Sequence, residues 1–200
     1  MLTPRGLVHK FILSILILIP IMVTDSLAFG SKEKSPEEQA AENTRQATEK
    51  YNNGVKHMDK AKQYDRQGDS LFAFNYRATS EDKARKEYDK AVKDFQKATS
   101  LDTTMVEAFN NLGYCLRKLG ELEESLEAYN NALAIDSLYP LAREYRGELF
   151  LALSEIEKAR HDLSILKQID SPYADTLSRS IDFFVLNQAV KKSLMPDDTN

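Results

Sequence analysis

The 200-residue sequence predicts an all-α fold built from stacked antiparallel helix pairs. Apolar residues recur every three or four positions along most of the chain, and no segment shows the period-two alternation of a β-strand. The same residue types also recur with a period of about 34 residues, which is typical of helical hairpins stacked in a row. Gly68, Gly120 and Ser154 mark turns between helices, while Pro140 and Pro172 stand where the first turn of a helix tolerates proline.

The N-terminus has the three parts of a secretory signal peptide. Residues 1–10 carry two basic side chains besides a histidine, residues 11–23 are uncharged, and Ser26 and Ala28 are small residues at the positions that define cleavage. The alternative is a retained membrane anchor, but this apolar run is only about 13 residues long and contains a proline, whereas a bilayer span takes about 20 residues. We therefore expect cleavage near Ala28 or Gly30 and export to the periplasm, with membrane contact only if the segment is retained.

The charge and cysteine content of the exported chain limit its partners. Removing Arg5, Lys10 and Asp25 from the 27 basic and 31 acidic residues leaves 25 and 30, a net charge of −5. This balance argues against nucleic acid or an anionic membrane as the main ligand, because both require a basic face. Cys115 is the only cysteine, so no intrachain disulfide can form and stability must come from packing.

The first helix pair is expected to be unusually long. Residues 29–36 are polar and predict a flexible tether, which precedes a helical domain over residues 37–190. In the first unit of this domain, residues 37–103, helical apolar spacing continues to about Gln67 and resumes from Ala84. These two segments predict an elongated hairpin.

The extra length of this hairpin follows from the spacing between a glycine and a small residue. Gly54 and Ala91 stand much further apart in the sequence than Gly113 and Ser125, their equivalents in the second unit. Relative to the regular repeat, the first unit contains about 25 extra residues. The tip of the hairpin, residues 68–80, should therefore project beyond the stack. Its three aromatic side chains are either packed between the two long helices or exposed, where they could contact a partner.

Columns of equivalent residues define the repeat. They place small residues where two helix backbones approach and bulky residues one turn away. Residues of one unit lie four and three positions apart and so share one helix face, which must meet a partner helix. We also expect Thr104 and Glu107 to form a capping box at the start of that partner helix. The columns are Ala91, Ser125 and Ala159, then Phe95, Tyr129 and Leu163, then Ala98, Ala132 and Leu166.

Residues 106–139 resemble the tetratricopeptide repeat (TPR) family, whose pattern is an aromatic residue, Leu-Gly, a bulky residue, Ala, an aromatic residue and Ala. Ser125 replaces the usual alanine, and Ser137 replaces the closing proline. The unit over residues 140–171 keeps Gly147 but has Arg143 and Arg146 where apolar residues are usual. The matching residues of the best unit are Phe109, Leu112, Gly113, Leu116, Gly120, Tyr129 and Ala132.

The resemblance implies an α–α superhelix with units over about residues 37–103, 106–139 and 140–171. An amphipathic segment over residues 172–190 is expected to cap the open end of the last unit, and residues 191–200 to form a flexible tail. The chain also looks like small exported bacterial proteins with two or three such repeats, which implies a periplasmic location and no assigned chemistry.

Catalysis has little support in the sequence. His57 and His161 are the only imidazoles left after cleavage and they lie in different units, while Cys115 fits a small packing residue. Glu144 and Glu148 stand at helical spacing and could hold a cation or act as an acid pair, but they also fit a solvated carboxylate face. No phosphate-binding loop, metal-ligand cluster or triad pattern is present. We therefore predict a non-enzymatic chain without a cofactor.

The resemblance instead implies binding of a peptide or a partner protein, because in this family the first helix of each pair lines a concave groove. The alternative is a structural assembly subunit that self-associates through the long N-terminal hairpin. By matching position, the groove would carry Tyr51, Asn52, Val55, Asn110, Asn111, Tyr114, Arg117, Lys118, Glu144, Tyr145 and Glu148.

The repeat columns predict that Ala132→Arg destabilises the protein by about 2 to 5 kcal/mol, through overpacking and an unpaired buried charge. Urea unfolding measures the change. Ala134→Arg is the matched control, since it lies two positions further along the helix and so points elsewhere. An unchanged unfolding midpoint for Ala132→Arg would contradict the assignment of this helix face.

Overall fold

The computed structural model describes residues 34–68 and 77–194, and all of its regular structure within these ranges is α-helical. The predicted all-α fold of stacked helix pairs is therefore confirmed. The signal-peptide segment and residues 69–76 of the hairpin tip lie outside the described residues. The helices are α1 (Pro36–Gly68), α2 (Arg77–Leu101), α3 (Val106–Leu119), α4 (Leu122–Ile135), α5 (Pro140–Ala152), α6 (Ile156–Gln168) and α7 (Tyr173–Leu194).

The helices pack in the order in which they occur in the chain. Helix α1 lies against α2, α3 against α4, and α5 against α6, while α2 also contacts α3 and α4 contacts α5. Helix α7 covers both α5 and α6 at the end of the stack. None of the helices in the described part of the chain is long and apolar enough to cross a membrane.

Helix α1 begins earlier than the sequence pattern suggested. Ser35 and Glu38 form a reciprocal capping box, in which each backbone N–H donates to the other's side chain at 2.8 Å and 3.2 Å. Pro36 is the first helical residue, where its missing N–H costs no hydrogen bond. Residues 35 and 36 therefore belong to the start of α1, although we expected them in the tether.

The columns of small residues lie in the helix contacts, as predicted. Ala91, Ser125 and Ala159 are each fully buried. Ser125 replaces alanine without leaving a polar atom unpaired, because its Oγ donates to the Gly113 carbonyl of the facing helix at 2.7 Å. Ala132 is fully buried as well.

Each of the first two pairs brings a glycine of one helix against an aromatic ring of the other. A Cβ added at Gly54 would lie 2.7 Å from the Phe95 ring, and a Cβ at Gly113 would lie 2.7 Å from the Tyr129 ring. Both distances are too short for a real contact, so only glycine fits. The two pairs thus have the same packing, although a much longer stretch of chain separates the partners in the first pair.

Three helices end in the same way, with backbone hydrogen bonds of the Schellman type around a residue of positive φ. Gly120 ends α3 with φ 88°, Ser154 ends α5 with φ 62°, and Asp170 ends α6 with φ 50°. Ser154 stands one repeat period after Gly120. The turn is thus retained without glycine, at a steric cost of about 1 kcal/mol.

The capping box predicted for the start of α3 is wrong. The N-cap residue is Met105, which makes no side-chain cap hydrogen bond. Thr104 is engaged elsewhere, because both its backbone N–H and its hydroxyl donate to Asp102 Oδ1, at 2.9 Å and 2.7 Å. This local Asp–Thr turn competes with the cap and keeps the Thr104 hydroxyl away from the amide of Glu107.

A buried ionic cluster joins α5 to α6. Asp162 is fully buried and accepts hydrogen bonds from Arg143 at 2.8 Å and from Arg146 at 2.9 Å and 2.7 Å. Arg143 also donates to the Ser137 carbonyl, and Arg146 donates to Asn130 Oδ1 at 2.7 Å. Both guanidinium groups thus share one carboxylate and add neutral oxygen acceptors, so the arginines that departed from the family pattern have a packing role.

The same cluster occupies repeat positions that are apolar in the second unit. Arg143, Arg146 and Asp162 stand where the second unit has Phe109, Leu112 and Ala128. Three apolar positions have thus been replaced together by one carboxylate and two guanidinium groups.

A second charged cluster ties α1 to α2. Glu87 is buried, and its carboxylate lies 2.6 Å from His57 Nδ1, 2.9 Å from Lys60 Nζ and 3.0 Å from Lys90 Nζ. Burial by itself would raise the pKa of Glu87, but the hydrogen bonds from these three groups outweigh it and lower the pKa to about 2. His57 is therefore part of the hairpin packing.

Helix α7 packs through Ala174, Leu177 and Ile181, which are buried against α5 and α6. A Cβ at Gly147 would lie 2.5 Å from Leu177, so α7 fills the place that an aromatic ring occupies in the first two pairs. Leu163, the predicted member of that column, is only half-buried. Residues 191–194 continue α7, although we expected them in the tail.

We predict that Asp162→Ala lowers the free energy of unfolding by about 3 to 5 kcal/mol, because it leaves the buried guanidinium of Arg143 and the partly buried one of Arg146 without their carboxylate. Urea unfolding measures the loss. Asp89→Ala, at an exposed site on α2, is the matched control and should change little.

A triple variant distinguishes the effect of losing the Asp162 hydrogen bonds from the cost of burying charged side chains. Arg143→Phe, Arg146→Leu and Asp162→Ala together copy the second unit, so the protein should return to within about 2 kcal/mol of its original stability. A triple variant as unstable as Asp162→Ala alone would show that the site cannot accept apolar packing.

Candidate binding groove

The first helices of the three pairs, α1, α3 and α5, form one face of the stack. Helix α3 contacts both α1 and α5, which places their side chains next to one another. The face ends at α7, which lies against α5. This arrangement brings together four of the eleven residues that the sequence assigned to the groove.

The centre of this face is a cluster of two tyrosines and an ion pair, which we call the groove cluster: Tyr114, Arg117, Tyr145 and Glu148. The rings of Tyr114 on α3 and Tyr145 on α5 lie 5.3 Å apart. Arg117 Nη2 lies 3.1 Å from Glu148 Oε2, and the guanidinium is 5.6 Å and 5.9 Å from the two ring centres. The cluster therefore holds two repeats in register, with its polar groups partly open to solvent.

The guanidinium of Arg117 makes one ion pair, while its Nε is buried without a hydrogen-bond partner. Its side chain is 22% exposed. Burial would lower its pKa, but the nearby Tyr129 phenol and the Glu148 carboxylate raise it. The group therefore stays charged.

Tyr51 and Asn111 connect the first pair to the second. The Tyr51 ring lies 5.9 Å from the Phe95 ring, and the Asn111 amide partly offsets the rise that burial causes in the pKa of the Tyr51 phenol. Asn111 Oδ1 in turn accepts from Asn110 Nδ2 at 3.2 Å. Both Tyr51 and Asn111 are half-buried and border the open face.

Asn110 does not line the open face as predicted, because it is only 1% exposed. Its Oδ1 is buried without a hydrogen-bond partner. Glu144, which stands one repeat period later, is buried in the same way at 5% exposure. This repeat position therefore points into the stack, and the Asn110 and Glu144 side chains reach the groove only at its base.

Burial sets the proton affinity of Glu144. It raises the pKa of this carboxyl to about 7, the charge of Glu148 adds to the rise, and Arg117 opposes it. Because this pKa lies near neutral pH, a small change in the surroundings of the Glu144 carboxyl changes its charge.

The remaining predicted residues lie away from the groove cluster. Asn52 is exposed on α1, and Val55 is half-buried against the core formed by α1, α2 and α3. Lys118 pairs with Asp65 at 2.8 Å and lies over the Tyr88 ring at 5.9 Å. Lys118 therefore belongs to the junction with the long hairpin, where its partner Asp65 also accepts a hydrogen bond from Tyr88.

The structure adds residues that the sequence reasoning missed. A hollow of about 570 Å³ lies beside the predicted Arg117 and Glu148. It is also lined by Leu151 and Ala152, which were not predicted, and its other wall is α7. We call this space the α5–α7 hollow. Leu151 and Ala152 stand one repeat period after Arg117 and Lys118, so the repeat shift could have identified them. The α7 wall consists of Ser180, Phe183, Phe184, Asn187, Gln188 and Lys191.

Lys62 on α1 was also missed. Its Nζ lies 4.6 Å from the centre of the Tyr114 ring, so it adds positive charge beside Arg117. Its position on the extra length of the first hairpin explains the omission, because the second unit has no residue equivalent to it in sequence.

The face shows few features of a catalytic site. Cys115 is fully buried, and burial raises the pKa of its thiol to about 12, so it is not an activated nucleophile. Within residues 34–68 and 77–194, no three His, Cys, Asp or Glu side chains are grouped as a metal site would require.

Comparisons with known proteins agree with the repeat. The family model of the tetratricopeptide repeat matches residues 106–137. The small glutamine-rich tetratricopeptide repeat-containing protein 2 of Saccharomyces cerevisiae is 43% identical over 51 residues, which are 26% of this chain and 15% of that protein. This chain thus spans only a small part of the yeast relative.

Among solved structures, the chain was matched to the type III secretion translocator chaperone SycD of Yersinia enterocolitica. It is 21% identical, and the match covers 68% of this chain and 96% of the chaperone with a TM-score of 0.45.

We predict that Glu144→Gln stabilises the protein above neutral pH. In the unfolded chain this carboxyl titrates near its ordinary pKa of 4.5, whereas the folded state holds the proton up to about pH 7. The folded state thus loses stability as the pH rises from 4.5 to 7, and the neutral amide should recover about 1 to 3 kcal/mol at pH 8.

Urea unfolding at pH 4 and pH 8 measures this effect. Glu127→Gln, at an exposed site on α4, is the matched control. An equal gain at both pH values would mean that Glu144 acts through shape and not through its charge.

Proposed function

We propose that the chain is a member of the tetratricopeptide repeat family, whose model matches residues 106–137, and that it is a protein–protein interaction scaffold of the cell envelope. The scaffold is non-catalytic, and it holds a peptide or a segment of a partner protein in the concave groove formed by α1, α3 and α5. The groove cluster and the α5–α7 hollow are its contact surface.

The observation that carries this proposal is the combination of a fixed polar cluster with an open hollow beside it. Arg117 and Glu148 line the hollow and are also held by each other, so a ligand meets donors and acceptors already in place. Tyr114 and Tyr145 offer aromatic surface next to them. Such a surface suits a peptide, whose backbone needs hydrogen-bond partners and whose side chains need apolar contact.

The hollow sets the kind of side chain that the partner would insert. Leu151 and Phe184 supply apolar contact, while Asn187 and Lys191 stand on the α7 wall and can pair with backbone carbonyls or a carboxylate. A volume of about 570 Å³ admits one or two large side chains. We therefore expect an apolar anchor residue followed by a polar or acidic group.

A non-catalytic role is supported by the side chains themselves. The buried Cys115 thiol has a raised pKa, and Glu148 is already paired with Arg117. Glu144 is the one carboxyl of the predicted groove residues with a pKa raised to about 7, but it lies at the base of the groove with little access to a substrate.

The location in the envelope rests on the N-terminal sequence. A basic start, an uncharged stretch over residues 11–23 and small residues before position 29 support export with cleavage. The net charge of −5 after cleavage is also compatible with an unattached protein that does not adhere to anionic lipid.

Site-specific photo-crosslinking in the native cells tests the proposal. A photoreactive amino acid at Ala152, which is exposed in the hollow, should give a discrete adduct with one partner. The same probe at Glu127, exposed on α4 outside the groove, should not give that adduct. Mass spectrometry of the adduct should also find that the chain starts after Ala28 or Gly30.

Two groove variants make the test specific. Tyr114→Ala or Arg117→Glu should reduce the yield of the Ala152 adduct at least about tenfold, whereas Lys97→Glu, exposed on α2, should not. Circular dichroism controls for folding. Equal adducts from both probe positions, or no effect of the groove variants, would refute groove binding, and an uncleaved N-terminus would refute only the periplasmic location.

A further inference from the structure

Lys62 on α1 is a half-buried cation of the groove face that lacks a carboxylate partner. Its Nζ lies 4.6 Å from the centre of the Tyr114 ring. Asp59 and Asp65 stand three positions before and after it on the same helix. Asp65 is taken up by Lys118 at 2.8 Å, and in the described ranges of the chain no carboxylate lies within ion-pair distance of Lys62.

The neighbouring cations of this face already have carboxylate partners. Arg117 pairs with Glu148 at 3.1 Å, and Lys118 has its own carboxylate on α1. A cation–π contact holds the Lys62 ammonium over the Tyr114 ring, but it does not compensate the charge. The face therefore carries an uncompensated positive charge where α1 meets α3.

The opposite charge lies on α5. Glu144 and Glu148 both interact with the guanidinium of Arg117. An acidic side chain of a ligand is therefore repelled beside α5 and attracted beside Lys62 on α1. This polarity selects which residue of a bound segment lies at which end of the groove.

The distance between Lys62 and the α5–α7 hollow sets the spacing of the ligand residues that would occupy them. Lys62 Nζ and the Arg117 guanidinium lie 4.6 Å and 5.6 Å from the centre of the same ring, that of Tyr114. These distances put Lys62 Nζ no more than about 10 Å from Arg117, which lines the hollow. The middle of the hollow is a few Å further away, and an extended chain covers about 10 to 15 Å in about three to five residues.

Lys191 on the α7 wall is the other cation that such a carboxylate would meet. It lines the hollow itself, so a carboxylate bound there would stand within about two residues of the apolar anchor. Lys191 is exposed, whereas Lys62 is half-buried and lies against the Tyr114 ring of α3. Water screens an ion pair of an exposed lysine more strongly, so the structure favours Lys62.

We propose that the groove binds an extended segment with an acidic side chain about three to five positions from its apolar anchor, and that this carboxylate pairs with Lys62 while the anchor fills the α5–α7 hollow. This specificity rests on the proposed function of the groove, to which it adds the charge and the spacing of the partner's residues. Lys62 thereby selects acidic partners.

Selection from a phage-displayed library of random peptides tests the proposal. The protein, expressed from its full coding sequence, should select peptides with Asp or Glu about three to five positions from a large apolar residue. Lys62→Glu should select peptides with Lys or Arg at that position instead, because the charge that it offers is reversed. Lys56→Glu is the matched control. Lys56 is exposed on the same helix but points away from Tyr114, so this variant should select the same peptides as the unchanged protein.

A selected peptide then measures the ion pair directly. Fluorescence anisotropy compares it with a version in which its Asp or Glu is replaced by the neutral amide. The amide version should bind the unchanged protein at least about tenfold more weakly. Lys62→Met keeps an apolar stem on the Tyr114 ring but removes the charge, so it should bind the two versions equally, within about twofold. Lys191→Met should keep the difference between them.

Ala152→Trp separates this proposal from the function on which it rests, because Ala152 is exposed in the hollow and a large ring there obstructs the anchor. Peptides that Ala152→Trp no longer binds, but that show no acidic preference or the same preference with Lys62→Glu, would refute the role of Lys62 and leave groove binding in place. An acidic residue within about two positions of the anchor, whose effect is lost with Lys191→Met, would assign the carboxylate to Lys191.

Two further controls complete the test. If Ala152→Trp weakens the binding of none of the selected peptides, groove binding itself is refuted and the role of Lys62 with it. Circular dichroism checks that each variant is folded. Lys62→Met keeps the packing of the stem, so its comparison of the two peptide versions decides the role of Lys62 if Lys62→Glu is unfolded.

Discussion

The close contact between a glycine and a large side chain of a facing helix is the constraint on which the rest of the structure depends. Gly113 admits the Tyr129 ring at a distance that no Cβ would allow, and Gly54 does the same for Phe95. This contact sets how closely the two helices of a pair approach. Helices α1, α3 and α5 can lie side by side because each of them carries one such glycine against a facing side chain. The groove cluster, which joins α3 to α5, follows from that alignment.

The third unit shows how the constraint is kept when the residues change. Gly147 receives Leu177 of α7 in place of a ring from its own pair, so the last helix of the chain completes the unit. Within the pair, Asp162 and the two arginines take over positions that are apolar in the second unit. A buried ionic cluster with matched hydrogen bonds is geometrically more demanding than apolar contact, so it fixes α6 on α5 in one arrangement.

Helix α7 connects the fold to the proposed binding surface. Its inner face completes the third unit, and one side of it forms the wall of the α5–α7 hollow. The same helix would therefore position the anchor residue of a groove ligand.

The sequence by itself determined the elements and their pairing, because both depend on local and periodic features. The recurrence of residue types at one period, the glycines and the small residues identified the helix faces that are buried, and helical spacing predicted the long first hairpin. Position in the repeat also predicted that Tyr114, Arg117, Tyr145 and Glu148 belong to one face.

Only the tertiary structure decided which polar residues are open and which are enclosed. Asn110 and Glu144 match exposed groove positions by sequence, but the neighbouring helices cover them, and Lys118 turns to Asp65 on the extra length of α1. The pairing of Arg143 and Arg146 with Asp162 likewise joins side chains on two different helices. Such contacts depend on how whole helices are packed, and residue periodicity within a single helix carries no information about which neighbour a side chain meets.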